Sequence, residues 1–288
     1  VPSPVTVPSP VTVNPPLPTS DSPLDLLAIG AHPDDCDISV GGTLALAASQ
    51  GFACGILDLT AGELGTNGTP EIRAAESAAA ARVLGLAGRW CAGLPDGGLN
   101  SLDVSQERVL VGWLRRLRPA IVLSHYPQDR HPDHIQASHL FERAWYHAGL
   151  VRYEAASAAG AAGSAASGAA APAGESPLPP FRPKARYWFA SRIGFHPSIV
   201  VDVTSMWDTK RRAILAHKSQ VVREGAHSRE TALNDPEFLT RIEFRLRHFG
   251  SMIGVTYGEP LTSDMPLGVN ELSSILGAPK PVPGAFTG

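Results

Sequence analysis

The sequence predicts a three-layer, doubly wound α/β fold (Rossmann-like) with a mostly parallel sheet. Short apolar runs alternate with helix-forming stretches, the connections between them are short, and two of the runs end directly in loops rich in His and Asp. Alternation with short connections implies parallel strands covered by helices on both faces. In such sheets the site lies beyond the carboxyl ends of the strands, near the switch in strand order. Both His/Asp loops are therefore expected on one rim.

The elements follow in order. Leu24 to Gly30 is an apolar run that stops at Ala31-His32-Pro33-Asp34-Asp35, and Gly42 to Gln50 reads as helix with Gly51 in a C-cap position. Ala53 to Leu59 is a second strand, followed by a Gly-rich loop from Ala61 to Thr69. Thr69 as N-cap and Pro70 at the first helical position start a helix that runs to about Leu84. Arg89 to Gly93 is a third strand, Val104 to Leu117 an amphipathic helix stopped by Pro119, and Ala120 to Ser124 a fourth strand that enters Asp129-Arg130-His131-Pro132-Asp133-His134. Later, Ala185 to Arg192 and Ser198 to Val203 read as strands, and Met206 to Ser219 and Pro236 to Phe249 as helices.

Two segments stand apart. Residues 1–23 carry the repeat Pro-Ser-Pro-Val-Thr-Val and read as a disordered tail, because proline removes donors and blocks helix. Residues 155–180 are mainly Ala, Gly, Ser and Pro and read as a flexible insertion. The organisation expected is a single domain over 24–267 that carries this insertion, with a C-terminal tail at 268–288.

Composition excludes several function classes. With 24 basic against 27 acidic side chains in 288 residues, there is no electrostatic footprint for nucleic acid or an anionic membrane. No apolar run is long enough to span a bilayer, and the first residues lack the basic and apolar regions of a secretory signal, so a cytoplasmic protein is expected. Three cysteines without short spacing argue against both a disulfide framework and a thiolate zinc site. The first loop lacks the Gly-x-Gly-x-x-Gly turn, which argues against a dinucleotide domain.

The chemistry concentrates in the two loops. His32 and Asp35, with Asp34 between them, face a second set of two imidazoles and a carboxylate, His131, Asp133 and His134. Imidazole nitrogen and carboxylate oxygen suit a hydrolytic zinc ion, which has three protein ligands and an open position. A further carboxylate must then move the water proton. The plain structural alternative, Asp as helix N-cap and His as loop residue, suits one such segment better than two on the same rim.

These residues also carry a resemblance. Gly30-Ala-His-Pro-Asp-Asp35, Gly41-Gly-Thr43, Asp58-Leu-Thr-Ala-Gly-Glu-Leu-Gly-Thr66, Gly68-Thr-Pro-Glu-Ile-Arg73, Gly93-Leu-Pro-Asp96 and Asp129-Arg-His-Pro-Asp-His134 lead the set. Gly194-Phe-His-Pro197, Lys218-Ser-Gln220 and Tyr257-Gly-Glu259 complete it. The chain resembles the LmbE-like, or PIG-L, family of zinc-dependent N-acetylglucosamine deacetylases. Within it, the Glu-Leu-Gly-Thr and Glu-Ile-Arg segments are most similar to the N-acetylglucosaminyl-malate deacetylases of bacillithiol biosynthesis. The similarity is close over residues 24–153 and looser over 181–267.

The resemblance implies His32, Asp35 and His134 as ligands of one zinc ion, with Fe2+ as the other candidate metal. It implies Asp34 as general base, His131 as the residue that stabilises the oxyanion or assists as acid, and Asp133 as its orienting partner. Arg73 and Arg130 match substrate-contacting positions, and a guanidinium fork suits the carboxylates of malate. The bland alternatives are an Arg73–Glu76 pair along one helix and Arg130 as a loop brace. The resemblance further implies a small sugar conjugate as substrate and a homo-oligomer, trimer or hexamer.

Rival readings are a deacetylase of a mycothiol-type or chitobiose-like conjugate and a non-catalytic sugar-binding module. Some positions stay unassigned. His125 beside Tyr126 reads as a satisfied strand-end histidine, Cys36 is expected to point into the core, Cys54 and Cys91 to be buried, and His196 is a candidate for the sugar wall.

Overall fold

A computed structural model describes residues 23–156, 178–190, 194–223 and 228–266. The tail over 1–23 (except Pro23), the insertion from 157 to 177 and the segment 268–288 lie outside the described residues. The strands are β1 Leu26–Gly30, β2 Cys54–Asp58, β3 Gly88–Cys91, β4 Ile121–His125, β5 Ala185–Phe189, β6 Ile199–Asp202 and β7 Gly258–Thr262. The helices are α1 Asp35–Ser49, α2 Pro70–Leu84, α3 Val104–Leu117, α4 Pro132–Ala148, α5 Trp207–Ala216, α6 Lys218–Val221 and α7 Phe238–Ser251.

The strands form one sheet in the order β3-β2-β1-β4-β5-β7-β6. All pairs from β3 to β5 are parallel, whereas β7 is antiparallel to both β5 and β6. Alternate residues of the inner strands face opposite layers. Leu27, Ile29, Leu57 and Val122 pack with Leu110, Leu114 and Phe141 of α3 and α4. Ala28, Ile56 and Leu123 pack with Leu44, Leu84 and Ala213 of α1, α2 and α5. A strand buried on both faces reads as a continuous apolar run, which is why β1, β2 and β4 were legible in the sequence.

Three elements differ from expectation. Helix α1 starts at Asp35, not Gly42, because two helical pieces meet at a kink where Val40 has φ −133° and ψ 17°. The Glu259 carboxylate caps the second piece, accepting from Gly42 N (2.9 Å), Thr43 N (2.6 Å) and the Thr43 hydroxyl (2.6 Å). Lys210 Nζ donates to the same carboxylate at 2.5 Å, with both side chains fully buried. The distant Gly-Gly-Thr and Tyr-Gly-Glu segments are thus two halves of one cap. A Cβ on Gly42 would stand 2.8 Å from Val203 Cβ and 2.9 Å from Glu259 Oε1. Gly42→Ala should therefore cost about 1–3 kcal/mol, read as a lowered denaturation midpoint, and an unchanged midpoint would count against the cap.

Helix α4 was hidden because its first turn is the His-rich motif itself: Pro132 sits in the first turn and the His131 side chain caps it. Strand β7 was hidden by Pro260, which cannot donate to a ladder. The β5–β7 pairing covers only Thr262 and Leu261, so Pro260 lies outside it. At the base of the insertion Arg115 gathers the carbonyls of Ala148, Leu150, Tyr153 and Leu178, which ties its two ends to α3.

Candidate metal centre and active site

Strands β1 and β4 are neighbours with no direct connection between them, so the switch in strand order lies between them. Their ladder runs from Leu26–Ile121 to Ala28–Leu123, and the two His/Asp segments emerge just beyond it. The rim predicted from the sequence is the rim observed.

The carboxylate of Asp35 is the centre of the cluster. Its Oδ2 lies 3.4 Å from His32 Nδ1 and its Oδ1 lies 3.2 Å from His134 Nε2. The His32 N–H donates to Oδ2 at 2.8 Å. Burial works against this charge, but His134 and His125 hold the Asp35 carboxyl well below the usual range. Asp129 lies 3.4 Å from the other nitrogen of His134. His134 loses from burial and gains more from Asp35 and Asp129, so its pKa is pushed up to about 9.

The His32–Asp35 and Asp35–His134 spacings each suit a divalent ion, although the trio His32/Asp35/His134 is not among the sets of described residues whose donors all converge within 4.8 Å. Tetrahedral ligand bonds of zinc to N and O place donor atoms about 3.3 Å apart, the separation seen on either side of Asp35. The two imidazoles reach different oxygens of that carboxylate. Among the described residues, sets whose donors all lie within 4.8 Å of one another are His32/His131/His134, Asp35/His125/His134 and His32/Asp96/Asp133. The donors are nitrogen and oxygen throughout, as expected for zinc or iron rather than for a soft metal.

Asp34 occupies an unusual backbone position. Its φ is +132°, a region that side-chain-bearing residues rarely adopt, and it precedes the first turn of α1. Such strain persists only where the surroundings enforce it. Here Arg73 enforces it: one NH2 donates to the Pro33 carbonyl at 2.8 Å and to Asp34 Oδ2 at 3.2 Å, while NH1 donates to the Gly62 carbonyl at 2.9 Å. Gly62 must be glycine, since it has φ +68° and a Cβ would lie 1.8 Å from Arg73 NH1. Burial and then Asp35 raise the Asp34 pKa to about 6, against the pull of Arg73.

His131 accepts a hydrogen bond from the Asp133 backbone N–H at its Nδ1, 3.2 Å. In the neutral ring the proton is then on Nε2. Asp133 thus meets His131 through its backbone N–H, while its carboxylate accepts from Gly97 N at 2.7 Å and lies 3.3 Å from His32 Nε2. Asp96 Oδ1 stands 3.2 Å from the same nitrogen. Burial lowers the His32 pKa, but Asp133, Asp35 and Asp96 outweigh it and push it up to about 12.

A family model for GlcNAc-PI de-N-acetylases (PIG-L) matches residues 27–145. The diacetylchitobiose deacetylase of Thermococcus kodakarensis is 31% identical over 211 residues, 68% of this chain and 69% of that protein. The chain belongs to the PIG-L family. A 1D-myo-inositol 2-acetamido-2-deoxy-alpha-D-glucopyranoside deacetylase of Rhodococcus erythropolis is 29% identical over 237 residues, 68% of this chain and 81% of the relative. The conserved protein TT1542 from Thermus thermophilus superposes with a TM-score of 0.69 at 36% identity, covering 85% of this chain and 97% of that one. A 4-oxalmesaconate hydratase of Pseudomonas putida is 28% identical over 203 residues, 65% of this chain and 70% of that protein.

In this PIG-L chain the cluster opens into a cavity of about 1110 Å³. His32, Asp34, Asp35, Arg73, His131 and His134 line it, and so does the solvent-exposed Arg130. Asp133 lies outside the lining, against His32, and the Arg73 guanidinium bonds the Pro33 and Gly62 carbonyls and Asp34. Its expected alternative partner Glu76 instead accepts from Ser219 N (2.6 Å) and its hydroxyl (2.7 Å). Cys36 is buried in the core as expected, and burial pushes its thiol well above the usual range. Cys54 is also buried, whereas Cys91 is only partly so. Tyr126 packs edge-on against Phe195 at 4.9 Å, and His196 is exposed and away from the cavity lining.

Asp96 and Asp129 carry no role in the sequence reading, whereas His125, read there as a satisfied strand-end histidine, ends β4 and accepts from Ala31 N at 3.0 Å. Asp96 and Asp129 stood inside quoted motifs, which was the only signal available. The two arginines of α7 that line the cavity, Arg241 and Arg245, carried no signal at all, because α7 is far along the chain.

Proposed function

We propose that this chain hydrolyses the acetamide of an N-acetylglucosaminyl conjugate, with N-acetylglucosaminyl-L-malate as substrate and glucosaminyl-malate and acetate as products. The observation that carries the reading is Asp34: a buried carboxyl, strained in backbone and braced by Arg73, next to the His32/Asp35/His134 donors.

His32, Asp35 and His134 are the residues that would hold a divalent ion, zinc or iron. Such an ion, when bound, polarises a carbonyl and acidifies water. Asp34, with a pKa of about 6, accepts the proton of the attacking water and passes it to the leaving amine. His131 in its Nε2–H form donates to the oxygen that gains charge on the acetyl carbon. Asp133 and Asp96 hold the His32 ring from its far nitrogen, so the ring cannot turn away from Asp35.

The malate reading rests on the cationic rim. Arg130 and Arg241 line the cavity and remain solvent-exposed, Arg241 donating to Asp235 at 3.3 Å on the same lining, and a guanidinium pairs bidentately with a carboxylate. The decisive experiment is acetate release from N-acetylglucosaminyl-malate, N-acetylglucosaminyl-inositol and diacetylchitobiose, each with and without chelator. The malate conjugate should turn over fastest, and chelator should abolish the activity. Equal turnover on the inositol conjugate would overturn the malate assignment; acetate from none of the three would overturn the deacetylase reading.

A further inference from the structure

We propose that His125 is a positioning residue that ties the two metal-holding loops together through the Ala31 peptide and the His134 ring. The inference rests on the reading of His32, Asp35 and His134 as metal-holding residues.

The β1–β4 ladder ends at Ala28–Leu123, while β4 continues to His125 in register with Phe189 of β5. Where β1 and β4 part, the buried Ala31 N–H has no strand carbonyl to bond to. An unpaired buried N–H is unfavourable, and His125 Nε2 accepts it at 3.0 Å. Ala31 is the residue directly before His32, and its carbonyl is held from the other side by Thr60 N (3.0 Å) and the Thr60 hydroxyl (2.9 Å). The entry to the first loop is thus fixed by one bond to the end of β4 and two to Thr60, just beyond β2.

The same ring stacks on His134 of the second loop, with centroids 4.1 Å apart and planes 22° from parallel. Phe189 also packs on the His125 ring, with centroids 4.8 Å apart and planes tilted by 58°. One buried imidazole therefore sets both the peptide before His32 and the plane of His134. Nε2 also lies 3.3 Å from Asp35 Oδ2, and the Asp35/His125/His134 donors converge within 4.8 Å. A lone pair engaged by the Ala31 N–H is not available to a cation, so His125 supports the ligands and is not one of them.

Two variants separate these functions. His125→Phe keeps a ring for the stack and removes the acceptor; His125→Gln keeps an acceptor at the Nε2 position. Zinc affinity, measured by competition with a chromophoric chelator, should fall about 10–100-fold in the Phe variant and stay near wild type in the Gln variant. The melting temperature of the metal-free protein should fall by several degrees in the Phe variant, which leaves the buried Ala31 N–H unpaired, and change little in the Gln variant. Wild-type zinc affinity in the Phe variant, or loss in both in step with a lowered melting temperature, would overturn the proposal.

If the Phe variant does not fold, wild-type protein labelled with 15N-histidine decides the matter by NMR. His125 should be the Nδ1–H tautomer with no coupling to added 113Cd, while His32 and His134 couple to it. Cadmium coupling at His125, or an Nε2–H tautomer, would overturn the assignment. Wild-type protein that binds neither ion would instead refute the metal reading, and the His125 tautomer would still report on the Ala31 bond.

Discussion

Asn in place of Asp34 should leave the bound ion in place and lower kcat by about 10²–10⁴-fold, the range for loss of a general acid–base group. The substitution is well matched to the site. Asn is isosteric with Asp, so it meets the Asp34 backbone at φ +132° with the same side-chain shape. Its side-chain oxygen can still accept from Arg73, so the brace to Pro33 and Gly62 remains. What is lost is the ability to take a proton. Ion content per chain and kcat measured on the same sample separate the two effects. A variant that loses metal but keeps full turnover per bound ion would remove Asp34 from the mechanism.

The largest effect on stability should come from Lys210. Lys210→Met leaves the Glu259 carboxylate buried with its hydrogen bonds to Gly42 and Thr43 but without its cation. Breaking a buried pair by removing one partner costs about 3–5 kcal/mol, which at about 2–4 °C per kcal/mol lowers Tm by roughly 6–20 °C. Lys210→Met combined with Glu259→Gln should be less destabilised than the sum of the single changes. Additivity within about 0.5 kcal/mol would show that the pair is not coupled. Because Glu259 caps the piece of α1 that follows the Asp34-Asp35 turn, the Lys210 variant should also weaken metal binding.

Both predictions depend on residues whose partners are far away in sequence, and this separates what was legible from what was not. The strands β1, β2 and β4 could be read because burial on both faces demands a run of apolar residues. The N-cap Thr69 and Pro70 marked α2 because the unsatisfied donors of a helix start select those residue types. Helix α4 was obscured by the His-rich motif in its first turn, and β7 by a proline that sits just outside one ladder.

The residues of the site were legible for the same local reason. His32, Asp34, Asp35, His131, Asp133 and His134 lie in two short segments at strand ends, and N/O donors in such loops have few other uses. From the sequence alone came the alternating α/β fold, the shared rim and the residue types able to hold a metal. Tertiary structure alone decided their partners. It directed Arg73 to the loops beneath Asp34, took the Asp133 carboxylate to His32, and set His125 between Ala31 and His134. Local patterns record what a segment must bury or cap, whereas hydrogen-bond partners depend on which segments the sheet order brings together.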